Sequence, residues 1–241
     1  NQFNRTCCHI VSGLSIKTIY TICKTGIIMG IISLLNKYKS DKVLHHEYGR
    51  IYEEILIPFK DEPIILLELG TGGYKYDNLG GLSAKAFRDY FQNGLIITVD
   101  MFNKTCLDGE ERIKFYQGEQ NDLAIMEMII GINGKPSIII DDSSHINPVT
   151  LESFKLLWPS LKSGGLYIIE DTNTSYVKIK KGIFEGDDEI EMNFYGGDHP
   201  NTVMNYFKGL ADSMNWGYCH IKDIGIFSIT FYREIIVIKK K

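Results

Sequence analysis

Leu66-Leu67-Glu68-Leu69-Gly70-Thr71-Gly72-Gly73 is the stretch whose reading decides the fold. A buried-strand run passes directly into a glycine-rich turn, where the backbone must bend tightly and let a ligand come close. Outward from it, short apolar runs alternate with longer mixed segments: strands are expected at Ile64 to Leu69, Leu95 to Val99, Ser137 to Ile140 and Leu166 to Ile169, with a further one expected before Phe115. Helices at Ser83 to Phe91, Asp122 to Ile130 and Pro148 to Leu161 would be the crossovers, giving an α/β, Rossmann-like, mostly parallel sheet. Gly225 to Tyr232 and Ile235 to Ile238 are separated only by Arg233-Glu234, so an antiparallel hairpin should close one sheet edge after a helix at Asn201 to Asn215. Lys178 to Pro200, rich in Gly and acidic residues, reads as a long loop or lid.

The turn itself favours one cofactor chemistry. Glu68 precedes Gly70 by two residues, and no third glycine completes a GxGxxG spacing. A carboxylate there attracts the cationic end of a sulfonium cofactor and repels a diphosphate. Glu68, Gly70, Thr71 and Gly72 are thus the first cofactor-binding candidates. Asp100 ends the next strand, where a carboxylate can accept two hydrogen bonds from vicinal ribose hydroxyls. Gln117 and Asp122 follow the third strand and could read an adenine edge; Asp122 is equally suited to cap the next helix, and the two roles are compatible.

Ile138-Ile139-Ile140-Asp141-Asp142-Ser143-Ser144-His145 sets two carboxylates and an imidazole at the C-terminal end of a buried strand, the edge at which open α/β sheets bind ligands. Glu170-Asp171 ends the neighbouring strand. Both groups should meet at one rim, and like charges gathered there call for a cation. Oxygen donors from these carboxylates favour Mg²⁺ or another hard divalent ion, with His145 as the base and Asp141 a further cofactor-binding candidate. Any one of these motifs alone would also fit helix caps and a loop histidine; their joint occurrence on successive strand ends favours the metal.

Composition removes several classes. A net charge of −4 gives no broad basic field, so no nucleic-acid partner is expected. Five scattered cysteines form neither a CxxC pair nor a disulfide framework, which points to a reducing, cytoplasmic setting. The apolar run Gly26 to Leu35 is too short for the ~20 residues of a membrane span. The organisation expected is an N-terminal helical segment or lid over 1–45 and a cofactor-binding domain over 46–241.

From about Ser40 to Tyr176 the chain resembles the macrolide-sugar O-methyltransferases of the mycinamicin and macrocin type. The motifs are Ser40-Asp41-Lys42 with His45-His46 and Ile51-Tyr52-Glu53, Leu67 to Tyr74, Arg88-Asp89-Tyr90-Phe91, Gln117 to Asp122, Ile140 to His145 and Gly164 to Asp171. The resemblance implies S-adenosylmethionine as cofactor, a metal at Asp142, Glu170 and Asp171, His145 as general base, and a sugar hydroxyl of a glycoside, glycan or natural product as acceptor. Cephalosporin-hydroxylase-like proteins share the acidic positions, so the metal site is better fixed than the substrate. Ser143 stands where the family usually has Gly, and the part before Ser40 is shorter than the accessory domain of the antibiotic enzymes. A homo-oligomer, or a place in a larger biosynthetic protein, is compatible with this. The rival readings are a Rossmann-type nucleotide-binding oxidoreductase and a non-catalytic methyltransferase-like partner domain.

Overall fold

The computed structural model describes residues 29–176, 201–215 and 225–241, together with the backbone of 180–181 and 190–191. Most of the segment 178–200, including His199, and residues 1–28 lie outside the described residues. Three N-terminal helices, α1 (Ile31–Tyr38), α2 (Asp41–Leu44) and α3 (Tyr48–Leu56), precede the alternation β1 (Ile65–Leu69), α4 (Leu82–Tyr90), β2 (Leu95–Asp100), β3 (Ile113–Gln117), α5 (Leu123–Asn133), β4 (Ile138–Asp141), α6 (Asn147–Leu157) and β5 (Leu166–Ile169). A two-residue pair, β6 (Lys180–Lys181) with β7 (Ile190–Glu191), is followed by α7 (Val203–Asn215), β8 (Ile226–Tyr232) and β9 (Ile235–Lys240).

The main sheet has the order β3-β2-β1-β4-β5-β9-β8, with the first five strands parallel and β9 antiparallel to both neighbours. The expected parallel sheet and its closing hairpin are both present. Strand order reverses between β1 and β4, and the crevice outside the carboxyl ends at such a reversal is where α/β sheets take ligands. Gly70 N donates to Val99 O and Asp142 N to Leu69 O, so the loops after β1 and β4 leave the sheet side by side.

Each face of the sheet is covered, as strands of almost continuous Ile, Leu and Val require. One face, carrying Leu66, Ile140 and Ile168, packs with Leu35, Tyr52 and Phe87 of α1, α3 and α4. The other, carrying Leu67, Ile139, Tyr167 and Ile169, packs with Phe154 and Phe207 of α6 and α7. Residues 31–241 form one compact unit, so α1 and α2 are built into it. Among the described residues no helix is long and apolar enough to cross a membrane.

Candidate functional site: an acidic rim beside a glycine loop

Side chains on a strand alternate between faces. Counting by twos from the core residues Leu66, Ile140 and Ile168 therefore brings Glu68, Asp142 and Glu170 to the face that α1–α4 cover. The register agrees: Glu68 pairs with Ile140, and Asp141 with Ile169, leaving Asp142 and Glu170 level just beyond the strand ends. At the centre of the three carboxylates is Lys42 of α2, only 1% exposed. Its Nζ lies 2.6 Å from Asp142 Oδ2, 2.8 and 2.9 Å from the two oxygens of Glu170, and 3.7 Å from Glu68 Oε1. Burial alone would lower the Lys42 pKa, but Asp142, Glu170, Tyr52 and Glu68 hold it well above the usual lysine range, so the ammonium stays charged.

Two tyrosines of α3 complete the support. Tyr52 OH donates to Glu170 Oε1, and Tyr48 OH to Asp171 Oδ1 at 2.5 Å. Burial pushes both phenols up, so they remain neutral donors. Burial and the neighbouring Asp142 push Glu170 up as well, against the pull of Lys42. The cluster holds more acid than one ammonium balances.

His145 and Asp171 are non-glycine residues in the left-handed region, at φ +56° and +52°. Such conformations cost energy and gather at functional sites. They turn His145 Nε2 to 3.3 Å from Asp171 Oδ2 and 3.9 Å from Asp142 Oδ1. One ligating atom each from Asp142, His145 and Asp171 lies within 4.8 Å of the others. Asp171 Oδ1 also faces His46 Nδ1 at 3.7 Å, and that nitrogen is 3.7 Å from Glu234 Oε2 in the β8–β9 turn.

The glycine loop opens beside this rim. A Cβ on Gly70, at φ +89°, would come within 2.0 Å of Asp142 O, so only glycine lets the β1 and β4 loops run together. Gly72, at φ +72°, would meet nothing within 4 Å. Its open side adjoins a cavity of about 450 Å³ lined by Gly70, Thr71, Gly72, Leu79, Ser83 and Asp142, within the size range of small-molecule sites. Glu68 lies beneath: Oε1 accepts from Ser83 Oγ at 2.7 Å, while Oε2 is buried with no hydrogen-bond partner among the described residues. Burial raises its pKa to about 7.

The remaining sequence candidates are distributed as follows. Asp100 accepts from Thr71 N at 3.0 Å and Phe102 N at 2.9 Å, which fixes the β2 end against the glycine loop. Gln117 is exposed and donates to Met101 O. Asp122 caps α5, accepting from Ala124 N and Ile125 N. Asp141 points to the opposite face from Asp142, where Gln120 Nε2 and Tyr167 OH donate to it and burial raises its pKa to about 7. Asp142, Asp171 and His145 meet at one rim, next to the loop that carries Glu68, Gly70, Thr71 and Gly72, while the carboxylate of Glu170, buried, is engaged by Lys42 and Tyr52 and falls outside that three-residue group.

Lys42, Tyr48, Tyr52 and Glu234 received no site role from the sequence. The period-two count from the strand cores marks three carboxylates on one face and so calls for a cation there. It does not say which lysine supplies one.

This fold, with its rim at the β1/β4 reversal, is that of the class I methyltransferases. Within that class the chain is similar to macrolide-sugar O-methyltransferases. It is 34% identical over 165 residues to the 8-demethyl-8-alpha-L-rhamnosyl tetracenomycin-C 2'-O-methyltransferase of Streptomyces olivaceus, covering 68% of this chain and 43% of that one. To the mycinamicin VI 2''-O-methyltransferase of Micromonospora griseorubida it is 37% identical over 131 residues, 54% of this chain and 33% of the relative. The MycE methyltransferase of the mycinamycin biosynthetic pathway, solved with Mg and SAH, superposes with a TM-score of 0.76 at 28% identity, over 88% of this chain and 54% of that one. The chain thus spans less than half the length of these two curated relatives. No family model matches it.

Proposed function

We propose that this chain is a methyltransferase domain that uses S-adenosylmethionine and a divalent ion such as Mg²⁺ to methylate a sugar hydroxyl of a glycoside, glycan or natural product. The observation that carries the reading is the convergence of Asp142, His145 and Asp171 within 4.8 Å beside the glycine-loop cavity. The site residues suit a hard cation, because the donors gathered there are mainly carboxylate oxygens. They also suit a sulfonium cofactor, since the Gly72 backbone is open to the cavity and a buried carboxylate oxygen beneath it lacks a partner. In support, relatives bear O-methyltransferase names, and the MycE structure was solved with Mg and SAH.

Asp142, Glu170 and Asp171 would hold the ion, and Glu68, Gly70, Thr71, Gly72 and Asp100, with Gln117, Asp122 and Asp141 around them, the cofactor. When bound, the ion lowers the pKa of a neighbouring hydroxyl and the cofactor supplies an electrophilic methyl group. His145 takes the acceptor's proton at Nε2, and Asp171, 3.3 Å away, stabilises the imidazolium that results. Asp142 and Asp171 orient the acceptor oxygen toward the methyl donor, converting a bimolecular encounter into a positioned transfer. We place the chain in the cytoplasm and its acceptor among small molecules or glycans.

The test is S-adenosylhomocysteine release with a panel of rhamnosides and other glycosides, with Mg²⁺ and with EDTA. Turnover confined to the Mg²⁺ arm is expected; equal turnover in EDTA removes the metal from the mechanism.

A further inference from the structure

Lys42 is the one lysine or arginine among the described residues paired with Glu68, Asp142 or Glu170, and it is paired with all three. An ammonium has three protons to donate, and here they reach Asp142 Oδ2 and both Glu170 oxygens. Asp142 is thereby fixed with Oδ1 turned toward His145, while Glu170 is held from the other side by Tyr52. Glu68 and Glu170 are buried and Asp142 is partly so, and ionised acids gathered on one ammonium would repel one another in a low-dielectric setting were no cation present.

We propose that Lys42 is the built-in counter-ion of the acidic rim: it keeps Asp142 and Glu170 together when no divalent ion is bound, so that the chain folds without metal and binds metal weakly and reversibly. Lys42 is a positioning residue in this scheme, acting through Asp142 and Glu170. The inference extends the metal reading above, but its core, the pairing of charge inside the fold, stands apart from it. The ammonium and the divalent ion serve the same carboxylates. Removing the ammonium must destabilise the metal-free protein and raise its appetite for the ion.

The experiment is thermal melting of wild type, Lys42→Met, Lys42→Arg and the charge-balanced double variant Lys42→Met/Glu170→Gln, in EDTA and in MgCl₂, with calorimetric MgCl₂ titrations of each. In EDTA, Lys42→Met should melt on the order of 10 °C below wild type, as loss of one partner of a buried pair implies. The double variant should melt above Lys42→Met, because it removes the stranded acid. MgCl₂ should raise the melting temperature of Lys42→Met more than that of wild type, with a dissociation constant at least about tenfold tighter, since one fewer positive charge opposes the ion. Lys42→Arg should keep the wild-type metal response.

A double variant no more stable than Lys42→Met in EDTA would overturn the proposal, and this comparison decides even if Lys42→Met alone does not fold. Equal or weaker Mg²⁺ binding by Lys42→Met would overturn it too. Failure of wild type to bind Mg²⁺ at all would count against the metal reading, leaving the EDTA comparison to judge Lys42.

Discussion

The two halves of the crevice are built from different materials. On the β1 side, the loop Gly70 to Gly73 works through backbone: left-handed glycines, close carbonyls and an open face, with Glu68 buried below. On the β4–β5 side, side chains do the shaping: Asp142, Glu170 and Asp171 are held by Lys42, Tyr52, Tyr48 and His145. A backbone-built region fails through shape, and a charge-built one through balance. The two should therefore answer differently to substitution.

The largest effect is expected on the charged side. Asp171→Asn keeps the size of the side chain and tolerates the left-handed backbone at φ +52°, yet removes the charge facing His145. Methyl transfer should fall by roughly 10²-fold or more, with the melting temperature little changed. A variant retaining most of its rate would break the division, because Asp171 would then act only through shape.

Gly70→Ala tests the backbone side. Its Cβ would overlap Asp142 O at 2.0 Å, so the β1 and β4 loops would have to part. A loss of stability of about 2–4 kcal/mol is expected from overpacking added to left-handed strain, read by denaturant unfolding. Gly72→Ala, with open space around its Cβ, should cost only about 1 kcal/mol. Equal costs at the two positions would show that the close approach at Gly70 is not what requires glycine.

The smallest effect concerns Glu68, where the two regions meet. Burial raises its pKa from 4.5 to about 7, so the folded chain keeps a proton that the unfolded chain has lost. Its contribution is full below about pH 4.5 and fades as pH rises through about 7. Glu68→Gln should flatten part of the decline in stability across that window, Asp141 retaining its own share. An unchanged slope would mean that Glu68 titrates normally.

The same division explains what could be seen in the sequence. The strands, the parallel class of the sheet and the hairpin were legible because continuous apolar runs, a glycine turn and the Arg233-Glu234 spacing are local signals, whereas the order of the strands across the sheet was not. The rim acids stand directly after strands, so Asp142 and the Glu170-Asp171 pair could be placed on one edge. Lys42 could not be placed. It occupies a four-residue helix with no periodicity of its own, and its partners are 100 and 128 residues away. Glu234 escaped for a similar reason: as a hairpin residue it looked like turn chemistry alone, and only the pairing of β9 with β5 brings it beside Asp171. Asp122 shows the limit in the other direction, since its position suited a cap and a cofactor contact alike and the fold displays the cap.

The claim on which the rest depends is that the rim acids hold a single divalent ion next to the glycine-loop cavity. Isothermal titration of the wild-type chain with MgCl₂, in the presence of S-adenosylhomocysteine, tests it most directly. One ion per chain is expected, with binding abolished in Asp142→Asn. No heat of binding, or binding unaltered by Asp142→Asn, would contradict the account.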